Sequence, residues 1–276
     1  MNVNRGKNIV NNNINLNLGN FKNTKLVKTD RKFIHENITL LILCTVDSKG
    51  VIHTGRSDPR ERLKDITTAL PKWFKLKLFK RVIIIENSNY QGSEIKNLMD
   101  EYSDEMIGEL IIYDGQKYNR GLGKGYGWYS GVSTALSSSK LADSSDYFMI
   151  IPGRYFIPNI VEIMDGLRVP LMCNLNNNLS FAFSPVTVFS KKFLHDYWLP
   201  ECKMTNDSIG LTMEHCQARA VLRAIADGYE WQLPAVAPQL DAISGTSNLP
   251  YYRGVIHSLG LKYYSYIKKF IFEFKR

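Results

Sequence analysis

Four short apolar runs, each ending in polar residues and followed by a helical stretch, constrain this chain more than any other feature. "ITLLILCTV" begins at Ile38, "RVIIIENSN" at Arg81, "GELIIYDG" at Gly108 and "DYFMIIPG" at Asp146. Runs rich in β-branched residues and lacking polar alternation suit strands covered on both faces. Between them, "RLKDITTALPKWFK" puts Leu63, Ile66, Ala69 and Leu70 on one helical side. "GSEIKNLMDEYS" reads as a short helix, and "GYGWYSGVSTALSSSKLA" as a helix opening behind glycines. Strand and helix in alternation imply parallel strands joined by right-handed crossovers, hence a doubly wound, mostly parallel α/β sheet. Its ligand edge is the one where the strands end.

The residues at those ends are Thr45, Val46 and Asp47, then Glu86, Asn87, Ser88 and Asn89, then Asp114, and finally Gly153 and Arg154. Strand ends are loops and loops are polar, so no single position is informative. Four polar ends on one rim nevertheless form a crevice, which the sequence predicts as the binding site.

Size and composition bound the function. A chain of 276 residues with 44% hydrophobic content can bury one large core. Cys44, Cys173, Cys202 and Cys216 lie far apart without CxxC spacing, and the polar, Asn-rich start has no secretory leader. Reduced thiols and a cytoplasmic location are therefore expected. No run of about 18 apolar residues exists to span a bilayer. The net charge of +9 calls for a polyanionic neighbour, with phosphate, nucleic acid and anionic lipid all open. A nucleic-acid-binding protein is disfavoured because the basic residues are scattered and no RNP1, zinc-finger or helix-turn-helix pattern occurs.

"YNRGLGKGYGWYSGVSTA" alternates Gly121, Gly123, Gly125 and Gly127 before a helix. Such glycines let backbone N–H groups approach an anion, with Lys124 adding charge, or let the helix pack tightly on the sheet. The spacing is neither GxxxxGK[ST] nor a GxGxxG directly after a strand, which argues against a P-loop ATPase or a dehydrogenase.

The run from Asn119 to Asn159, the first strand with its Thr45 loop, the "IIIENSN" strand and the late "AISGTSNLPYYRG" resemble bacterial capsule and O-antigen glycosyltransferases of the GT-A (Rossmann-like) fold. The resemblance covers roughly residues 38–252. It implies a transferase that moves a sugar from a nucleotide-sugar donor, a UDP-sugar, to a surface polysaccharide or lipid-linked glycan. The donor-binding residues it implies are Thr45, Val46, Arg56, Asn87, Lys124, Gly153, Arg154, Tyr155, Ser244, Gly245, Thr246 and Tyr252. One departure is plain: Pro152-Gly153-Arg154 stands where the family usually carries an Asp-x-Asp that holds a divalent cation. A sugar-nucleotide nucleotidyltransferase shares the doubly wound fold, but "CTVDSKG" lacks the glycine-rich loop such enzymes carry after their first strand.

A departing nucleoside diphosphate gains negative charge, which either a metal or a guanidinium must balance. Arg154, helped by Lys124 or Arg120, is expected to replace the ion, its planar fork matching phosphate oxygens. No cofactor is expected, although a divalent cation stays open. The structural alternative for Arg154 is an ion pair with Glu162 or Asp165. Direct, inverting attack by an acceptor hydroxyl needs a base. Glu214, in the first turn of a helix over "MEHCQARAVLRAIADG", is the residue that the resemblance implies, with His215 and Asp207 in reserve. An acid there also favours the helix dipole without catalysis.

The expected organisation is an Asn-rich arm over 1–33, a nucleotide-sugar half over 34–165, an acceptor and catalytic half over 166–254, and a basic aromatic segment over 255–276. "LSFAFSPVTVFS" should add antiparallel strands and an acceptor wall, its aromatics stacking on sugars if exposed. "GLKYYSYIKKFIFEFKR" suits either an anionic bilayer surface, making the protein peripheral on the inner face of the cytoplasmic membrane, or a helix docked on the core.

Overall fold

The computed structural model describes residues 30–167, 171–251 and positions 260 and 267. The N-terminal arm up to residue 29 and nearly all of the basic aromatic segment lie outside the described residues. Asp30 caps the first helix, α1 (Arg31–Asn37), by accepting the Phe33 N–H at 2.7 Å. The boundary expected at 33/34 falls inside this helix.

The elements then follow as β1 (Ile38–Cys44), α2 (Pro59–Lys75), β2 (Arg81–Glu86), α3 (Glu94–Glu101), β3 (Ile107–Ile112), α4 (Gly123–Ser138), α5 (Lys140–Asp143) and β4 (Tyr147–Pro152). After α6 (Ile160–Met164) come β5 (Leu171–Leu175) and β6 (Ala182–Ser190). The helical stretch α7 (Lys191–Phe193) runs through a π-helical turn (Leu194–Trp198) into α8 (Leu199–Cys202). The chain closes with α9 (Met213–Ala226) and β7 (Trp231–Gln232). The sheet has the order β3-β2-β1-β4-β6-β5-β7. Its first four strands are parallel, and β6 runs antiparallel to both β4 and β5. The fold is thus the predicted α/β, doubly wound and mostly parallel, with an antiparallel strand added by "AFSPVTVFS".

Strand alternation sorts the core into two layers. Leu40, Ile42, Val82 and Ile84 meet Ile66, Leu70, Trp73 and Phe74 of α2 on one face. Leu41, Ile83, Ile85, Phe148 and Ile150 meet Val132, Ala135 and Leu136 of α4 and Ala220 and Val221 of α9 on the other. Covering both faces is what an unbroken apolar strand requires, and each buried Leu, Ile or Val side chain contributes roughly 1.5–3 kcal/mol.

One helix differs from its sequence reading. The span expected to run from the glycines to Ala142 breaks at Ser139, which is extended and accepts the Ala142 N–H to start α5. Glu109 of β3 completes the break, accepting from the Ser139 hydroxyl (2.7 Å) and the N–H groups of Lys140 and Leu141. A carboxylate from another element decides this boundary, so helical periodicity alone misses it.

Candidate functional site

The carboxyl ends of β1, β2 and β4 open into a crevice of about 260 Å³. A buried carboxylate braces the loops beside it. Glu86, fully buried at the end of β2, accepts the N–H of Val46 (3.0 Å), the N–H of Ser88 (3.1 Å) and the N–H of Tyr90 (2.9 Å). It therefore ties the β1 and β2 loops together. Asn87 continues the rim, accepting from the Thr45 hydroxyl at 2.6 Å and donating to the Gly127 carbonyl of α4 at 3.4 Å.

Cationic groups also line the crevice. Arg154 leaves β4 behind Gly153 and stacks over Tyr155, 5.5 Å from the ring centroid. Its guanidinium reaches Asp65 of α2 at 3.4 Å and the Ile243 carbonyl at 3.3 Å. The partner is thus Asp65, correcting the expectation of Glu162 or Asp165. Asp65 is already held by Arg56 through two bonds of 2.8 and 2.9 Å, so one carboxylate serves two guanidiniums. Arg62 is buried and donates to the carbonyls of Thr45 (2.8 Å) and Arg56 (3.0 Å). Burial, and then the neighbouring Arg154 charge, lower its pKa to about 10, still well above neutrality. Lys124 at the start of α4 reaches Thr246 across the crevice. Arg62, Arg154 and Lys124 all line this one crevice, where their N–H groups can donate to an anion.

Two carboxylates line it as well. Glu214, in the first turn of α9, accepts the Ser184 hydroxyl of β6 at 3.1 Å and lines the crevice. Asp207 lies against the glycine-rich start of α4. A side-chain carbon at Gly123, whose φ is +80°, would fall 1.9 Å from its carboxylate oxygen. Burial, followed by the Glu214 charge, raises the Asp207 carboxyl above its ordinary range, while a bond from the Gly125 N–H opposes the rise. This is a correction to the glycine reading: the anion against that helix entry is Asp207, contributed by the chain itself. Ser48 Oγ and Gln116 Oε1, both on crevice-lining residues, are buried without a hydrogen-bond partner, while Gln116 Nε2 donates to the Asp47 carbonyl at 2.8 Å.

Of the residues expected from sequence, the crevice gathers Thr45, Asn87, Lys124, Gly153, Arg154, Tyr155, Gly245, Thr246 and Glu214. Val46 is not among them; its side chain enters the core beneath. Arg56 braces Asp65, Glu61 and Asn248 behind the crevice. Ser244 is buried and caps its own turn, accepting the N–H of Thr246 and Ser247. Tyr252 lies outside the described residues. His215 is turned away from the crevice, its Nδ1 accepting the Thr212 N–H to cap α9 and its ring edge-on to Phe181. Sequence reasoning missed Arg62, Ser48, Gln116 and Ser184. Arg62 carried a usable signal, because a basic residue in the first turn of a helix opposes the dipole and calls for another explanation. Among the described residues no group of three or more His, Cys, Asp or Glu side chains is gathered to hold a metal, and no helix is long and apolar enough to cross a membrane.

No protein-family model and no curated protein matches the chain. Solved structures are similar at a distance. One is 4-diphosphocytidyl-2C-methyl-D-erythritol synthase from Anaerococcus prevotii DSM 20548, with TM-score 0.42 and 12% identity over 86% of this chain and 99% of that one. A second is described as a glucose-1-phosphate thymidylyltransferase from Bacillus anthracis, with TM-score 0.40 and 9% identity over 74% and 89%. A third is the protein Aq1419 of Aquifex aeolicus VF5, with TM-score 0.40 and 13% identity over 75% and 91%. None of the three is described as a capsule or O-antigen glycosyltransferase. Likenesses this distant decide no activity.

Proposed function

We propose that this chain is a glycosyltransferase that takes a sugar from a nucleoside-diphosphate donor, a UDP-sugar, and passes it to a glycan with inversion. The observation that carries this reading is the pairing, in one crevice, of a carboxylate held by a hydroxyl (Glu214 on Ser184) with the cations Arg62, Arg154 and Lys124. In the reaction, the acceptor oxygen bonds to the anomeric carbon while the bond from that carbon to the diphosphate oxygen breaks. Glu214 takes the hydroxyl proton, and the electron pair leaves on the diphosphate, where the guanidiniums and the ammonium balance it. Ser48 Oγ and Gln116 Oε1 are a hydroxyl and an acceptor that the carbonyl and imide N–H edge of uracil would satisfy, relieving roughly 1–3 kcal/mol of desolvation each.

Nucleotidyl transfer is the second reading. The pair Asp207 and Glu214 favours it, since two carboxylates facing one crevice suit a divalent cation on a triphosphate.

Product analysis separates the two readings. Glycosyl transfer releases a nucleoside diphosphate from a nucleotide-sugar; nucleotidyl transfer releases pyrophosphate from a nucleoside triphosphate. Glu214→Gln should leave UDP binding intact and lower transfer roughly 10²–10⁴-fold. Arg154→Ala should weaken UDP binding without unfolding the chain, because Asp65 keeps its two bonds from Arg56. Near-normal turnover by the Glu214 variant, or pyrophosphate as the product, overturns the proposal.

A further inference from the structure

The side-chain amide of Gln116 has only one orientation open to it. Gln116 follows β3, lines the crevice and is 8% exposed. Its Nε2 donates to the Asp47 carbonyl at 2.8 Å. A carbonyl cannot donate, so turning the amide over would set two acceptor oxygens against each other. The backbone beside it is pinned as well: the Gly115 N–H donates to the Asn87 carbonyl at 3.0 Å, and Ser88 forms a β-bridge with Asp114.

The Asp47 peptide is one member of a series of bonds that all run the same way. Its N–H donates to Ser88 Oγ at 3.0 Å, and the Ser88 hydroxyl donates to Glu86. Glu86 is the fully buried carboxylate that accepts three backbone N–H groups, so it ends the series as an acceptor. From Gln116 through Asp47 and Ser88, every proton points toward that carboxylate, and bonds aligned in this way polarise one another. The other end of the series is Gln116 Oε1, which has no partner among the described residues. It can only accept, and a buried acceptor without a donor is costly.

A donor on the ligand completes the series. In the uridine nucleotide proposed above, the base has a single N–H, at ring position 3, because the ribose occupies position 1. Cytosine presents a lone pair at position 3, which would face Oε1 with a second acceptor. Sliding the cytosine amine into that place would draw the diphosphate away from Arg62, Arg154 and Lys124, which line the same crevice. Guanine carries an N–H of the same imide type, in a ring farther from its ribose. We infer that Gln116 selects the base by accepting its imide N–H, and that Ser88, which does not line the crevice, is a positioning residue that fixes the polarity of that amide; this rests on the nucleotide-donor reading above.

Calorimetric titration of the full chain with UDP, 3-methyl-UDP, CDP and GDP tests the inference without turnover. UDP should bind roughly tenfold or more tightly than CDP and than 3-methyl-UDP, in which a methyl group replaces the imide proton. GDP should bind more weakly than UDP. Gln116→Leu and Ser88→Ala should each lower the UDP-to-CDP affinity ratio roughly tenfold. That ratio compares two ligands on the same folded protein, so a loss of stability alone does not move it. Equal binding of UDP and 3-methyl-UDP by the wild-type chain overturns the assignment, as does a UDP preference that survives Gln116→Leu. A preference lost in Gln116→Leu but kept in Ser88→Ala overturns the role given to Ser88, and tighter binding of GDP overturns uracil as the base. Transfer from a UDP-sugar without any base preference sinks this inference and leaves the proposed function standing. A preference that follows both variants while no nucleotide-sugar supports transfer does the reverse.

Discussion

Replacing Gly153 by alanine probes the contact that delivers Arg154 to the crevice. Gly153 donates its N–H to the Leu43 carbonyl at 2.8 Å, which draws β4 tight against the end of β1. A side-chain carbon built there would lie 2.2 Å from Cys44 Sγ, 3.2 Å from Ile42 Cγ2 and 3.3 Å from the Leu43 oxygen. Non-bonded heavy atoms settle at about 3.5–4.0 Å, so the sulfur contact is short by more than an ångström while the other two need only slight relief. Cys44 is 1% exposed and walled by the core, so the strain is shared between a forced side-chain rotation and strand separation. Overpacking of this kind costs roughly 1–3 kcal/mol, which at about 2–4 °C per kcal/mol lowers the melting temperature by roughly 2–12 °C. Urea unfolding of wild type, Gly153→Ala, Cys44→Ala and the double variant measures the coupling. Because Cys44→Ala removes the offending sulfur, the alanine at 153 should cost less than half as much in that background, a coupling of about 0.5–3 kcal/mol. An undiminished penalty, or none in either background, would show that the contact does not govern this junction.

Two further substitutions address the supports of the site. Glu86→Gln replaces a buried acceptor of three backbone N–H groups with an amide whose own N–H₂ must face one of them; it should destabilise the fold by about 2–4 kcal/mol in urea, and a loss below about 0.5 kcal/mol would refute the role given to that carboxylate. Glu109 is pushed up by burial, but the bonds from Ser139, Leu141 and Lys140 outweigh this and hold its carboxyl below the ordinary range. A depressed folded-state pKa adds stability that is present above the unfolded value of about 4.3 and is lost as pH falls through the folded value. The gap in melting temperature between wild type and Glu109→Gln should therefore be constant near neutrality and shrink as the pH drops below about 4.3; a gap that widens on acidification contradicts the sign.

Local pattern determined much of this protein. Unbroken apolar runs fixed the four parallel strands because a strand with no polar face has to be covered twice, and the polar residues after them marked the rim where Thr45, Asn87, Gly153 and Arg154 meet. Tertiary structure decided everything that depends on partners distant in sequence. Asp65 meets Arg154 across 89 positions, Ser184 holds Glu214 across 30, and Asp207 fills the glycine-rich entry that by itself reads as a place for a ligand's anion. Val46 and Arg56, both expected in the site, became a core side chain and a brace, since strand alternation and ion-pair geometry rank residues by where they point rather than by how near they are along the chain. Secondary structure is written in spacings of two and of three to four residues, whereas a site is assembled by the strand order. That order, β3-β2-β1-β4-β6-β5-β7, with β6 turned against its neighbours, brings the Ser184–Glu214 end of the chain to the cations of its first half.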